Sequence, residues 1–197
     1  MKKLNLKNSG FSLVETLVAV SILLIVIVSP MSISSKAANS TSFSSEQVAA
    51  FFLAQEGVEI AQKARDDLLL KNFTPPLLPQ TAWNNFTNTS GTFSPCYNSN
   101  GCGLELYTNN VGGVKAPVSC GSTGAACNLY YNDSNGRSRY TYTTANATKT
   151  IYTRVITFQK IGTGSVLVKS RVYWRAGSRR DVQEAVVETY LFNIFGS

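Results

Sequence analysis

The sequence predicts an α+β fold in which helical segments come first and an antiparallel β-sheet comes last. Residues 11–28 are predominantly apolar, and residues 43–71 repeat apolar side chains at helical spacing. From residue 150 onward, three segments alternate apolar and polar side chains, the pattern of half-buried strands. Helices followed by a run of strands are typical of the α+β class.

The apolar run at residues 11–28 is 18 residues long, just enough to cross a bilayer as a helix. Lys2, Lys3 and Lys7 precede it, which predicts an amino end in the cytoplasm and the rest of the chain outside. No second long apolar run follows, so we expect one span of the cytoplasmic membrane.

Glu15 lies inside this apolar run, where its negative charge would have to enter the hydrocarbon of the bilayer. A carboxylate deep in hydrocarbon costs roughly 2.5–3.5 kcal/mol on insertion scales. No basic residue lies between Lys7 and Lys36. The nearest cation would be a new amino terminus, made by cutting the chain before Phe11.

The segment "KNSGFSLVETLVAV" resembles the cleavage and methylation motif of type IV prepilins and of the pseudopilins of type II secretion. The resemblance implies that prepilin peptidase cuts after Gly10 and methylates the amine of Phe11. It also implies that Glu15 is the assembly carboxylate, which pairs with the amine of a neighbouring pilin subunit in a filament.

An ordinary secretory signal peptide is the alternative interpretation. Pro30 breaks the apolar run, and "SSKAAN" offers a small-residue cleavage site near Ala37. The early glutamate and a run longer than the usual ~7–15 residues argue against it.

Composition suits an exported subunit with one domain beyond the anchor in 197 residues. The formal charge is +7, and removing the three lysines of residues 1–10 leaves 15 basic and 11 acidic residues, or +4. The chain has no histidine, the commonest general base and metal ligand. Asp66 and Asp67 are adjacent, do not share a helix face, and are expected to be solvated. We therefore expect no enzymatic activity and no cofactor.

Residues 43–71 carry the signals of an amphipathic helix. Ser44 and Gln47 have the spacing of a capping box, with Phe43 and Val48 placed as a hydrophobic staple. Gly57 is a mild cost inside the helix. The expected buried face consists of Phe51, Ala54, Val58, Ala61, Ala64 and Leu68.

Type IV pilins have one long N-terminal helix, and "FLAQEGVEIAQKARDD" resembles a stretch of minor-pilin-like proteins. The resemblance implies a helix over about 11–71, kinked near Pro30 and loosened at 38–44. A polar linker after Pro30 followed by a separate second helix is the alternative.

Residues 73–149 are rich in Asn, Thr, Ser, Gly and Tyr, which predicts loops with short strands. They hold two cysteine pairs, Cys96 with Cys102 and Cys120 with Cys127, and local disulfides are the simplest of three connectivities. A metal site is not favoured, since zinc sites use shorter cysteine spacings.

The segment "NDSNGR" at 132–137 has two interpretations. Its alternating oxygen ligands before a glycine suggest a calcium loop, but no bidentate glutamate follows at the proper distance. We favour a hairpin turn between "NLYY" and "RYTYTT".

Three strands are predicted in "TIYTRVITFQKI", "SVLVKSRVYWR" and "VQEAVVETYLFNI", joined at 162–164 and at 176–181. Their apolar face is expected to pack on the outer half of the long helix. A chain ending on "TYLFNIFGS" also resembles minor-pilin-like heads. The expected inward residues of the last two strands are Val166, Val168, Val172, Trp174, Ala185, Val187 and Leu191.

The predicted organisation has five parts. They are a leader peptide at 1–10, a transmembrane and assembly helix at 11–29, the outer half of the helix at 30–72, a disulfide-bearing loop region at 73–149 and the β-sheet at 150–197.

The function predicted from these features is that of a structural subunit of a cell-surface or periplasm-spanning filament, with a minor pilin favoured over a major pilin or a type II pseudopilin. A DNA- or surface-binding subunit is the alternative from another class. Basic residues spread over several strands are more often a solvated face, so a nucleic-acid partner is not favoured. The basic set is Arg137, Arg139, Arg154, Lys160, Lys169, Arg171, Arg175, Arg179 and Arg180.

Overall fold

The structure is a computed structural model that describes residues 10, 12–71, 79–107, 113–134, 138–175 and 181–194. The chain divides into two compact units, Met1–Ser44 and Ser45–Ser197. The class is α+β, as predicted: an N-terminal helix is followed by an antiparallel sheet.

Helix α1 extends over Leu13–Lys71, and its 59 residues include both Pro30 and the serine-rich stretch at 38–44. The alternative of a linker followed by a second helix is therefore wrong, and the expected loosening at 38–44 is not found. The capping box at Ser44 is wrong for the same reason. Inside a helix the Ser44 hydroxyl has no free amide to cap, and it donates to the carbonyl oxygen of Ser40 at 2.9 Å.

Within the Ser45–Ser197 unit, α1 buries a face made largely of small side chains. The predicted Ala54, Val58, Ala61 and Ala64 are buried, whereas Phe51 is 50% exposed. The expectation for Phe51 was wrong because the small residues bring the helix close to the sheet and turn the adjacent face outward. The buried hydrophobic residues of this helical segment are Ala50, Leu53, Ala54, Val58, Ile60, Ala61, Ala64 and Leu69.

Among the described residues, the sheet has seven strands arranged around the long strand β5. Strand β6 pairs with one edge of β5, and β7 pairs with β6. The other edge of β5 pairs with β3 and β1, which pair in turn with β4 and β2. The bounds are β1 Cys102–Gly103, β2 Val118–Ser119, β3 Asn128–Asn132, β4 Arg139–Thr141, β5 Thr148–Ile161, β6 Ser165–Trp174 and β7 Gln183–Phe192.

Strict alternation along β6 confirms the predicted inward face. Val166, Val168, Val172 and Trp174 are buried, as predicted, and they alternate with more exposed residues. The turn from β5 to β6 occupies residues 162–164, where Gly162 adopts φ 67°, a left-handed conformation that favours glycine.

Short helices in the loop-rich region were not predicted. Helix α2 spans Pro79–Phe86 and α3 spans Ser94–Tyr97, and a 3₁₀ turn follows at Ala125–Cys127. Helix α2 buries Trp83 and Phe86, whose ring lies 5.3 Å from that of Phe158 on β5. These aromatic side chains supply much of the core, even though the surrounding sequence is polar.

Two disulfides join neighbouring cysteines, and they are the pairs that the sequence favoured. Cys96 in α3 is bonded to Cys102 in β1, and Cys120 is bonded to Cys127 in the 3₁₀ turn. All four cysteines are buried. Each bridge therefore fixes a short loop onto the sheet.

Helix α1 approaches the sheet closely at Gly57. A Cβ atom there would collide with the Ser170 hydroxyl and would lie 3.2 Å from both Arg154 Cδ and Ile156 Cδ1. Ser170 is fully buried on β6. The glycine is thus required by packing, and its cost to helix propensity is offset by the close contact of helix and sheet.

We predict that Gly57→Ala destabilises the protein by about 1–2 kcal/mol, because the added methyl group overpacks the interface between helix and sheet. Urea unfolding of the full-length protein in detergent micelles measures this change. Helix propensity alone predicts the opposite sign, since alanine favours a helix by ~1 kcal/mol over glycine.

Gln62→Ala is the matched control, because Gln62 is exposed on the same helix and its replacement should change stability by less than ~0.5 kcal/mol. Adding Ser170→Ala to Gly57→Ala should recover part of the loss by removing the nearest atom. A Gly57→Ala protein more stable than the wild type would show that the interface has spare room.

Candidate functional site

The first part of α1 presents apolar side chains on all sides. Within the Met1–Ser44 unit, every described residue of α1 from 13 to 28 is exposed. Among the described residues, α1 is the one helix long and apolar enough to cross a membrane by length and composition. A helix that is apolar all round requires lipid or other protein around it. The large apolar side chains are Leu13, Val14, Leu17, Val18, Val20, Ile22, Leu23, Leu24, Ile25, Val26, Ile27 and Val28.

The hydroxyl groups within this segment are compatible with apolar surroundings. Thr16 Oγ1 donates to the carbonyl oxygen of Leu13 at 2.8 Å, and Ser21 Oγ donates to that of Leu17 at 2.8 Å. Both hydroxyls are therefore satisfied inside the helix and need neither water nor a partner chain.

Glu15 differs from these hydroxyls. It lies in the first turn of α1, where the positive end of the helix dipole favours a carboxylate. Among the described residues it has no ion pair and no hydrogen-bonding side chain partner. The segment thus holds one exposed carboxylate on an otherwise apolar surface.

Gly10 is exposed, and a Cβ atom placed on it would meet no described atom within 4 Å. The packing of the described residues gives no reason for a glycine at this position. Phe11 and the leader lysines Lys2, Lys3 and Lys7 lie outside the described residues.

The other candidate sites from the sequence have structural roles. Asp66 pairs with Arg65 at 2.7 Å and its side chain is 41% exposed, so it remains solvated as expected, whereas the Asp67 side chain, paired with Lys63 at 2.9 Å, is only 20% exposed. The four cysteines are bonded in pairs and offer no thiolate. No group of three or more potential metal-ligating His, Cys, Asp or Glu side chains occurs among the described residues.

The segment at 132–137 begins as a turn. Asn132 Oδ1 accepts a hydrogen bond from the backbone amide of Ser134 at 2.9 Å, and Asn132 pairs with Arg139 across β3 and β4. This pairing fits the favoured hairpin; residues 135–137 lie outside the described part.

The structure removes Arg154 from the predicted basic set. Its side chain is 1% exposed and faces α1, where Nη1 lies 2.6 Å from Glu56 Oε2. The sequence missed this pair because nothing local distinguishes an inward arginine on β5 from an outward one. The alternation of the strand could have indicated it, because Arg154 lies two and four residues before the buried Ile156 and Phe158 and therefore on the same face of β5.

Two of the remaining basic residues lie close to carboxylates. Lys169 pairs with Glu188 at 2.6 Å, and Arg171 lies 3.7 Å from Glu184. Lys160 is exposed near the far end of β5. Arg137, Arg179 and Arg180 lie outside the described residues.

Comparison with known protein families identifies the N-terminal segment. A family model described as the prokaryotic N-terminal methylation motif matches residues 5–29, which include Gly10, Phe11 and Glu15. No curated protein and no solved structure matches the chain. The match covers the same residues whose apolar surface and lone carboxylate are described above. The chain therefore carries the N-terminal signal of type IV prepilins.

Proposed function

We propose that this chain is a structural subunit, a minor pilin, of a type IV pilus-like filament, and that prepilin peptidase cuts it after Gly10. The observation that carries the proposal is Glu15, an exposed carboxylate without a partner in the described residues, inside an apolar helix and a methylation motif.

The apolar surface of α1 suits two surroundings in succession, first the lipid bilayer and then the helices of other subunits. Exposed apolar area of this extent requires a cover in the folded, functional protein. Lipid provides it before assembly, and helices of other subunits provide it in a filament. The same residues serve both states, because side chains that favour hydrocarbon also pack against one another.

Glu15 supplies the specificity that apolar contacts lack. A buried charge costs several kcal/mol unless it is paired, so burial of this helix among others favours arrangements that bring a cation to Glu15. The amine of a processed neighbour beginning at Phe11 is the proposed cation. A register in which amine and carboxylate meet is thereby favoured over registers in which they do not.

The disulfides support the proposed orientation. Disulfides form and persist outside the cytoplasm, and both Cys96–Cys102 and Cys120–Cys127 lie in the Ser45–Ser197 unit. That unit is accordingly proposed to be outside, with the lysines of residues 1–10 on the cytoplasmic side.

The choice of minor pilin rests on the loop-rich, doubly disulfide-bonded unit and on the resemblance of "FLAQEG" to minor-pilin-like proteins. A type II pseudopilin is the alternative. The abundance of this chain relative to other prepilin-type proteins in purified filaments separates a minor from a major subunit.

We predict that Gly10→Val leaves uncut precursor in the membrane, because a branched side chain obstructs close approach of the peptidase to the backbone. Immunoblotting of membrane fractions measures the ratio of precursor to mature protein. Asn5→Val, which adds the same side chain within the leader, should be processed normally. Mature protein of normal size from Gly10→Val would contradict the assigned junction.

We predict that Glu15→Val still inserts and is still cut, but enters filaments at a level at least about tenfold below the wild type, because the charge pair is lost. Quantitative blotting of sheared filaments against whole cells measures incorporation. Glu15→Gln should be less impaired, since an amide can accept a hydrogen bond.

Ser21→Val is the matched control for this experiment. Its hydroxyl is satisfied within the helix, so its replacement should leave incorporation unchanged. Wild-type incorporation of Glu15→Val, with cleavage intact, would exclude the assembly role of the carboxylate in this chain.

A further inference from the structure

A cleft of about 750 Å³ opens on the face of the sheet that points away from α1. Its floor includes Thr153, Val155 and Thr157 of β5, which alternate with the inward-facing residues of that strand. Tyr173 of β6 adds to the floor, and the loop at 121–124 forms one side. The volume lies in the range of about 300–1,000 Å³ that is typical of ligand-binding clefts.

The side of the cleft is held in place by covalent and hydrogen bonds. The disulfide Cys120–Cys127 closes the loop, and the amide of Cys127 donates to the carbonyl oxygen of Gly124 at 2.9 Å. Thr153 Oγ1 donates to Asn128 Oδ1 at 2.8 Å, which joins this side to the floor. These bonds fix this side of the cleft relative to its floor.

Three cationic side chains line the cleft: Lys149, Arg171 and Arg175. Lys149 and Arg175 are exposed, and neither has an ion pair among the described residues. Arg171 already has partners within the protein: its Nε lies 3.7 Å from Glu184 Oε1, and its Nη1 lies 3.4 Å from the Tyr173 hydroxyl. Within the described part of the chain, no acidic residue lines the cleft, so its net charge is positive.

The rest of the lining is rich in groups that form hydrogen bonds. Half of the eighteen lining residues carry a hydroxyl or a side-chain amide, among them Asn100, Ser122, Thr123 and Asn128. A ligand matched to this surface presents many hydroxyl groups together with at least one anionic group.

We propose that this cleft binds a short acidic oligosaccharide, with Lys149 and Arg175 contacting its carboxylate or sulfate groups and the hydroxyl and amide side chains contacting its hydroxyls. The site belongs to the Ser45–Ser197 unit and does not depend on cleavage at Gly10 or on filament assembly.

Nucleic acid fits these features less well. Single-stranded nucleic acids are bound by stacking successive bases on aromatic side chains. Here Tyr173 is half-buried with its hydroxyl near Arg171, and Trp174 is buried. Duplex DNA is a convex rod with grooves ~12 Å and ~6 Å wide, which a small concave cleft cannot enclose.

The test is isothermal titration calorimetry on the full-length protein, in micelles of a detergent without a sugar headgroup. The probes are a sulfated heparin tetrasaccharide, a carboxylated tetragalacturonate, neutral maltotetraose and a single-stranded oligonucleotide of equal charge. We expect at least one acidic sugar to bind, more weakly at higher salt, whereas maltotetraose does not. The two acidic arms distinguish sulfate from carboxylate as the recognised group.

Lys149→Gln/Arg175→Gln should bind the acidic sugar about tenfold more weakly, because two charged contacts are lost. The matched control, Lys36→Gln/Lys160→Gln, removes two charges outside the cleft and should bind as the wild type does. Both residues changed in the cleft are exposed, so melting temperatures should agree among the three proteins.

Three results would overturn the proposal. They are no binding of either acidic sugar at millimolar concentration, an equal loss of affinity in the control variant, and tighter binding of the oligonucleotide than of both sugars. None of these results bears on Gly10 or Glu15, so a failure here leaves the filament role to its own tests.

Discussion

A buried arginine holds the outer part of α1 against the sheet. Arg154 rises from the middle of β5, and its Nη1 contacts both Glu56 Oε2, at 2.6 Å, and the carbonyl oxygen of Leu53, at 3.2 Å. Its Nη2 donates to the carbonyl oxygen of Leu104 at 3.3 Å, and its Nε donates to the Tyr142 hydroxyl at 2.9 Å. One side chain thereby joins the helix, the central strand and two loops.

Burying the charge of Arg154 costs little here because all three nitrogens of its guanidinium have hydrogen-bond partners. Burial opposes the charge of Arg154, but the nearby Tyr142 and Glu56 outweigh it, so the pKa of the guanidinium is raised. Burial also raises the pKa of Tyr142, which keeps its hydroxyl protonated and able to donate to the carbonyl oxygen of Arg154 at 3.3 Å. The stem of Arg154 lies beside Gly57, so the charged contact and the close approach of the helix depend on each other. Together they fix which face of α1 is buried and leave Phe51 and Phe52 outward.

The sequence predicted what periodicity and local chemistry control. Alternation was sufficient for β5 to β7 and for the inward valines of β6, and short cysteine spacing indicated the two disulfides. The length and apolarity of 11–28 indicated the membrane-compatible helix, and the residues around Glu15 indicated the prepilin-type signal.

The sequence could not reveal Phe51 as exposed, because its spacing fits the apolar face of the helix. The buried face is shifted away from Phe51 because Gly57, which has no side chain, packs against the sheet. The sequence also could not predict that Lys149 and Arg175 line the same cleft. They are far apart in the chain, and only the pairing of β5 with β6 places them near each other. Helix α2 was missed because it is only 8 residues long and mostly polar, so the helical spacing of Trp83 and Phe86 extends over less than one full turn.

The central claim is that Glu56 stabilises the protein through Arg154, and a double-mutant cycle of unfolding free energies in full-length protein tests it most directly. Glu56→Ala should destabilise the wild type but have little effect in an Arg154→Met background. The predicted coupling is about 1–2 kcal/mol, a modest value because the Glu56 side chain is 43% exposed. An equal cost of Glu56→Ala in both backgrounds would contradict the claim and leave apolar packing alone to hold the helix on the sheet.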